Sequence, residues 1–177
     1  MPIEKRWVVK PQGDRAVVES LSAALGMPTV LTNLLVQRGI DTMEKAKKFF
    51  SPSLRDLHDP FLMKDMDKAV ERIERAVKAG EKVMIYGDYD VDGTTAVALV
   101  YKFLSQIGHK NLSFYIPDRY VDGYGISFRS IDHAVRKGVT LVIALDCGIK
   151  AVEKVAYAKE RGVDFIICDH HLPAEEI

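Results

Sequence analysis

Two spacings of apolar residues divide this chain. Up to about residue 80 they recur three or four positions apart, the period of a helix with one buried face. Residues 14–25, 29–38 and 42–50 read as short amphipathic helices, the third with Asp41-Thr42 as its cap. Residues 51–60 are punctuated by prolines and read as an irregular connector. Met66, Ala69, Val70, Ile73, Ala76 and Val77 define one more helix, which Gly80 stops. Beyond Gly80 the pattern changes. Residues 83–86, 112–116, 141–145 and 163–168 are apolar runs too short for helices. Between them lie helical stripes: Val97, Val100, Tyr101, Leu104 and Ile107, then Ile131, Ala134 and Val135, then Val152, Val155 and Ala156. Strand-helix alternation with near-continuous apolar strands predicts an α/β fold, a parallel sheet with helices on both faces. A helical N-terminal region, 1–80, is expected to precede this domain, 81–177.

Composition narrows the function. Of 177 residues 47% are hydrophobic and 28% charged, enough apolar material for a core. Twenty-five basic residues balance twenty-five acidic ones, so no overall field draws the protein to nucleic acid or an anionic membrane. Any nucleic acid must be recognised locally. The opening MPIEKRWVVK has no apolar signal-peptide core, and no stretch approaches the ~18 apolar residues of a membrane span, so no membrane partner is expected. Cys147 and Cys168, the only cysteines, do not make a disulfide framework, and a reducing cytoplasm is the expected setting.

The chemistry gathers where strands finish. The first strand runs into Asp88, Asp90 and Asp92, then Gly93; the third ends at Asp146-Cys147-Gly148; the fourth gives Asp169-His170-His171. In an open parallel sheet, ligands bind beyond the carboxyl ends of the strands. Carboxylates crowded there need cations to neutralise them, and mixed oxygen and nitrogen donors suit Mn²⁺ better than Mg²⁺ or Zn²⁺. Each part alone also has a plain reading. Asp-x-Asp-x-Asp-Gly imitates a calcium loop, but Leu99 stands where the bidentate glutamate belongs and a strand precedes it. Asp146 alone reads equally as a turn cap. Adjacent histidines are more often surface or core filler than ligands, and the cysteines beside the acids more often small hydrophobes than thiolates. His58, His109 and His133 have no acidic cluster beside them and read as structural.

Together these motifs resemble the DHH phosphoesterases: residues 86–93 (YGDYDVDG) the first family motif, Asp146-Cys147-Gly148 the second and Asp169-His170-His171 the third. The lead-in (LLVQRGI at 34–40, Pro52-Ser53-Leu54, Asp59-Pro60) and Pro117-Asp118-Arg119 through Gly123-Tyr124-Gly125 are similar to the RecJ-type members. The resemblance implies metal-dependent phosphodiester hydrolysis with two Mn²⁺ (or Mg²⁺) ions, acting 5′-to-3′ on single-stranded DNA in repair and recombination. It implies that Asp90 holds one metal, Asp92 the other, with Asp146 bridging, His170 on the second and Asp88 joining the first. It gives His171 the scissile phosphate, Asp169 the orientation of the histidines, and Arg119 the substrate phosphate. Other repair proteins, such as a helicase or a single-strand-binding protein, are expected as partners. Two departures stand out. Tyr86 occupies a position where some members carry a histidine ligand, and the chain stops at Ile177 before a further aspartate ligand and a C-terminal substrate domain. It therefore reads as an N-terminal fragment with impaired activity.

Rival readings are a phosphodiesterase of the same family for short oligonucleotides or cyclic dinucleotides, a metal-free scaffold of that family, and a haloacid-dehalogenase-like phosphatase. The last takes Asp90 as nucleophile in Asp90-Val91-Asp92-Gly93-Thr94. It leaves Asp169, His170 and His171 without a role.

Overall fold

A computed structural model describes residues 6–175. The chain forms two compact units, residues 1–62 and 63–177. The first unit is helical: α1 (Arg15–Leu25), α2 (Thr29–Val36) and α3 (Met43–Phe50), followed by single 3-10 turns at Leu54–Asp56 and Pro60–Leu62. Local chemistry sets these ends. The Asp14 carboxylate accepts from the Val17 N–H and the Thr42 hydroxyl from the Lys45 N–H, each capping an otherwise unpaired donor. Val18, Leu21, Leu35 and Ala46 are its buried apolar residues.

The second unit opens with α4 (Met66–Ala79) and carries β1 (Val83–Gly87), α5 (Val91–Gln106), β2 (Leu112–Tyr115), α6 (Phe128–Arg136), β3 (Leu141–Leu145), α7 (Val152–Lys159) and β4 (Asp164–Cys168). The unit boundary lies before α4 and not at residues 80/81. Ala76 of α4 is fully buried against the sheet, with Ile73 and Val77 packed beside it. A helix whose apolar stripe lies on the sheet belongs with the sheet.

All strands pair in parallel, in the order β2-β1-β3-β4. One face packs on α4 and α5 through Ala76, Val83, Ile85, Val97, Leu104 and Ile143. The other packs on α6 and α7 through Met84, Tyr86, Ile131, Ala134, Val142 and Ala158. Burial on both faces explains why β1 and β3 are unbroken apolar runs, buried at every position. Each such side chain contributes about 1.5–3 kcal/mol by leaving water.

Strand order also places the site. After β1 the chain moves outward through α5 to β2; after β3 it moves the other way through α7 to β4. β1 and β3 are neighbours whose connections diverge, so a crevice opens at their carboxyl ends. Asp88 follows β1 there, and Asp146 follows β3.

Candidate metal centre

Asp88 is 2% exposed, and its Oδ1 has no hydrogen-bond partner. Burial holds its carboxyl above the ordinary range despite a bond from the Tyr89 N–H, and the charges of Asp90 and Asp146 add to the rise. Gly93 makes this packing possible: a Cβ there would lie 2.4 Å from the Asp88 carbonyl oxygen and 2.5 Å from its nitrogen. The first turn of α5 thus sits directly on the Asp88 backbone.

Asp146 takes a left-handed conformation, φ 60°, while its N–H donates to the Cys168 carbonyl at 2.8 Å. That bond extends the β3-β4 ladder one step past the strands and turns the Asp146 carboxylate toward β4. Its Oδ1 lies 3.0 Å from His170 Nε2. Asp169 accepts three hydrogen bonds: Oδ2 from the Ile149 N–H at 3.0 Å, and Oδ1 from the His171 N–H at 3.1 Å and from Nδ1 at 2.7 Å. Burial pushes the Asp169 carboxyl up, but these bonds outweigh it and hold the group below its usual value. The same Asp169 bond raises the His171 imidazole, against a smaller opposing effect of burial. His171 Nε2 and the Tyr124 hydroxyl lie 3.3 Å apart, within hydrogen-bond reach.

Asp146, His170 and His171 each offer a ligand atom, all within 4.8 Å of one another. Asp90 and Asp92 are outside that group. Asp90 caps α5, its Oδ1 accepting from the Gly93 N–H at 3.0 Å, and Asp92 is exposed in the first helical turn. Because α5 begins at Val91, a twelve-residue calcium loop starting at Asp88 has no room to form. Tyr86 is fully buried and donates to the Gly125 carbonyl at 2.7 Å, stacked on Tyr115. It is a core residue. Burial, with the charges of Asp88, Asp169 and Asp146, pushes the Cys147 thiol up to about 12, so it offers no thiolate at neutral pH.

Arg119 is exposed, its guanidinium 5.6 Å from the centre of the Tyr89 ring. Tyr89 meets Tyr124 edge-on at 6.4 Å, and Tyr124 meets His171 at 6.2 Å. An aromatic row therefore links Arg119 to the histidines. Asp122 braces the Arg119 loop, accepting from the Tyr115 hydroxyl and the Asp118 N–H. Tyr124 was singled out in the sequence only as part of a motif; its hydroxyl contact spans 47 positions, which no local pattern reveals.

The donor set suits a divalent cation. A buried carboxylate oxygen without a partner is costly unless a cation or hydrogen bond compensates it. Here it lies beside a carboxylate-imidazole trio of the kind that binds manganese or zinc.

The description "DHH family, N-terminal domain" matches residues 82–177, more than half of the sequence. The chain belongs to the DHH family. Among its DHH relatives, the single-stranded-DNA-specific exonuclease RecJ of Bacillus subtilis is 41% identical over 97% of this chain and 22% of its own length. That of Escherichia coli is 29% identical over 92% of this chain and 28% of its own. The crystal structure of Thermus thermophilus RecJ with Mn²⁺ is 25% identical with a TM-score of 0.68, covering 90% of this chain and 22% of that one. Another, of exonuclease RecJ bound to manganese, is 30% identical with a TM-score of 0.59, covering 64% of this chain and 29% of that one. This DHH chain thus spans about a quarter of the length of these relatives.

Proposed function

We propose that this chain is the metal-binding part of an exonuclease that hydrolyses single-stranded DNA from the 5′ end in repair and recombination. The observation that carries the reading is the Asp146–His170–His171 trio at the carboxyl ends of β3 and β4, near buried Asp88, whose Oδ1 has no partner. The names of the relatives support the substrate, and their manganese supports the cofactor. Free cysteines suit a cytoplasmic setting, and among the described residues no helix is long and apolar enough to cross a membrane.

Asp146, His170 and Asp88, with Asp90 and Asp92 from the α5 turn, would hold two divalent ions. Bound there, such ions bring the pKa of a coordinated water toward 7 and offset phosphoryl charge. The chain's own groups do the rest. Asp169 fixes the His171 ring through Nδ1, which leaves Nε2 to face the scissile phosphate. Tyr124, whose hydroxyl meets Nε2, yields that place to substrate. Arg119 offers a planar fork to phosphate oxygens, and its stacking on Tyr89 limits its freedom before substrate arrives. A dehalogenase-type reaction would leave Asp169, His170 and His171 without a role.

The test is release of nucleotides from 5′-phosphorylated single strands in Mn²⁺. Slow release is expected, stopped by EDTA and reduced at least a hundredfold in Asp146→Asn. Release that persists in Asp146→Asn, or in EDTA, would overturn the reading.

A further inference from the structure

A cleft of about 190 Å³ opens beside the trio. Tyr124 and His171 form the wall nearest the histidines, Ile126 and Ile149 supply apolar surface, and Lys150 and Lys154 bring two ammonium groups. Neither lysine belongs to any ion pair among the described residues. Lys154 Nζ lies over the Phe128 ring, 5.9 Å from its centre. Asp169, the carboxylate in the wall, has both oxygens occupied by the Ile149 and His171 donors. The cleft thus holds two lysines outside any ion pair among the described residues, while its carboxylate already accepts three hydrogen bonds. Such a space favours an anion with an apolar body. Arg119 is not among the lining residues, so the cleft is a separate cationic position from the one already assigned to phosphate.

We infer that this cleft seats the sugar and phosphodiester next to the scissile one, with Lys150 and Lys154 on the phosphate and Ile126 and Ile149 under the deoxyribose. The inference rests on the single-strand reading and extends it. Continuity with His171 supports it, because a strand with one phosphate at that imidazole must pass a neighbouring phosphate along an adjoining surface. Binding at His171 and in the cleft together sets the direction in which the strand lies.

The experiment titrates a 5′-phosphorylated, phosphorothioate-linked pentathymidylate into the chain in Mg²⁺, following backbone amide shifts and Kd at several salt concentrations. Shifts are expected at Gly125, Ile149, Lys150 and Lys154. Lys150→Gln/Lys154→Gln is expected to weaken binding at least fivefold and to reduce the slope of log Kd against log salt by about 0.7, the value for one neutralised phosphate on a single strand. The Lys150→Arg/Lys154→Arg chain should keep both, which separates charge from folding; the amide spectrum of each variant reports the fold directly. Unchanged Kd and slope in the glutamine variant overturn the inference. So do shifts confined to Asp146, His170 and Tyr89, which would leave the single-strand reading standing. No shift anywhere would sink both.

Discussion

At the scale of single residues, the site holds groups in states that folding alone does not favour. Asp88 is buried with an oxygen unpaired and other carboxylates nearby. Replacing it by asparagine removes the charge and keeps the shape. Asp88→Asn is expected to stabilise the metal-free chain, because it removes a buried charge facing Asp90 and Asp146, and to weaken Mn²⁺ retention. Urea denaturation in EDTA reads the first effect and metal titration the second; a less stable Asp88→Asn chain in EDTA would contradict the reading of Asp88. Gly93 is the converse case. Its hydrogen lies where any Cβ would strike the Asp88 backbone at 2.4–2.5 Å, and backbone does not move aside as a side-chain tip does. Gly93→Ala should therefore cost about 2–3 kcal/mol, at the upper end of overpacking substitutions, visible as a lower urea midpoint. The sequence marked Gly93 only as the end of an acidic motif. Its packing role depends on how closely α5 approaches β1, which spacing along the chain does not encode.

At the scale of elements, periodicity carried most of the fold. The strands of the sheet and the helices between them stand where the apolar runs and stripes place them, because a strand buried on both faces leaves a short unbroken apolar signal. Ends were less legible. The α5 helix starts at Val91, ahead of the stripe that begins at Val97, since Asp90 supplies the cap and the first turn bears polar residues. The α4 helix looked like part of the helical lead-in because a stripe does not say which surface it covers. What ties α4 to the sheet beyond that stripe is Arg72. It donates to Glu81 at 2.8 Å and to Asp164 of β4 at 2.6 Å, 92 positions away, while Glu81 also accepts from the Thr140 hydroxyl. Only folding makes that clamp visible. The Arg72 and Thr140 bonds hold the Glu81 carboxyl below its ordinary 4.5. A depressed carboxyl contributes stability that is complete above the unfolded value and is lost as pH falls through the folded one. Glu81→Gln should thus cost about 1 kcal/mol at pH 7, and the gap between variant and parent should close as pH drops below about 4. Paired melts across pH 3–7 check this, and a gap that is constant with pH would refute it.

At the scale of the whole molecule, net charge misled by omission: a balance of zero says nothing of the local arrangement, in which carboxylates and imidazoles gather at one end of the sheet and unpaired lysines lie beside them. The family motifs made the strand ends legible, but not which of their side chains meet. His171 joins Asp146 and His170 in the ligand-like trio, whereas Asp90 and Asp92 lie on the neighbouring α5 turn. Binding at this site links strands distant in the sequence, so Mn²⁺ should stabilise the second unit as a whole. At a hundredfold excess over Kd, one bound ion adds about 2.7 kcal/mol, and the melting temperature should rise accordingly in calorimetry and return when EDTA is added. A melting temperature indifferent to saturating Mn²⁺ would show that the site is not assembled in the folded chain.

The order in which the strands are synthesised differs from the order in which they stand. By the time Asp146 has left the ribosome, β1, β2 and β3 can already pair, with Asp88 and Asp146 at their carboxyl ends and no imidazole beside them. His170 and His171 arrive only after β4, which among the described residues pairs with β3 alone. Docking of β4 completes the trio, so capture of a divalent ion by a nascent chain would mark the moment β4 comes into register.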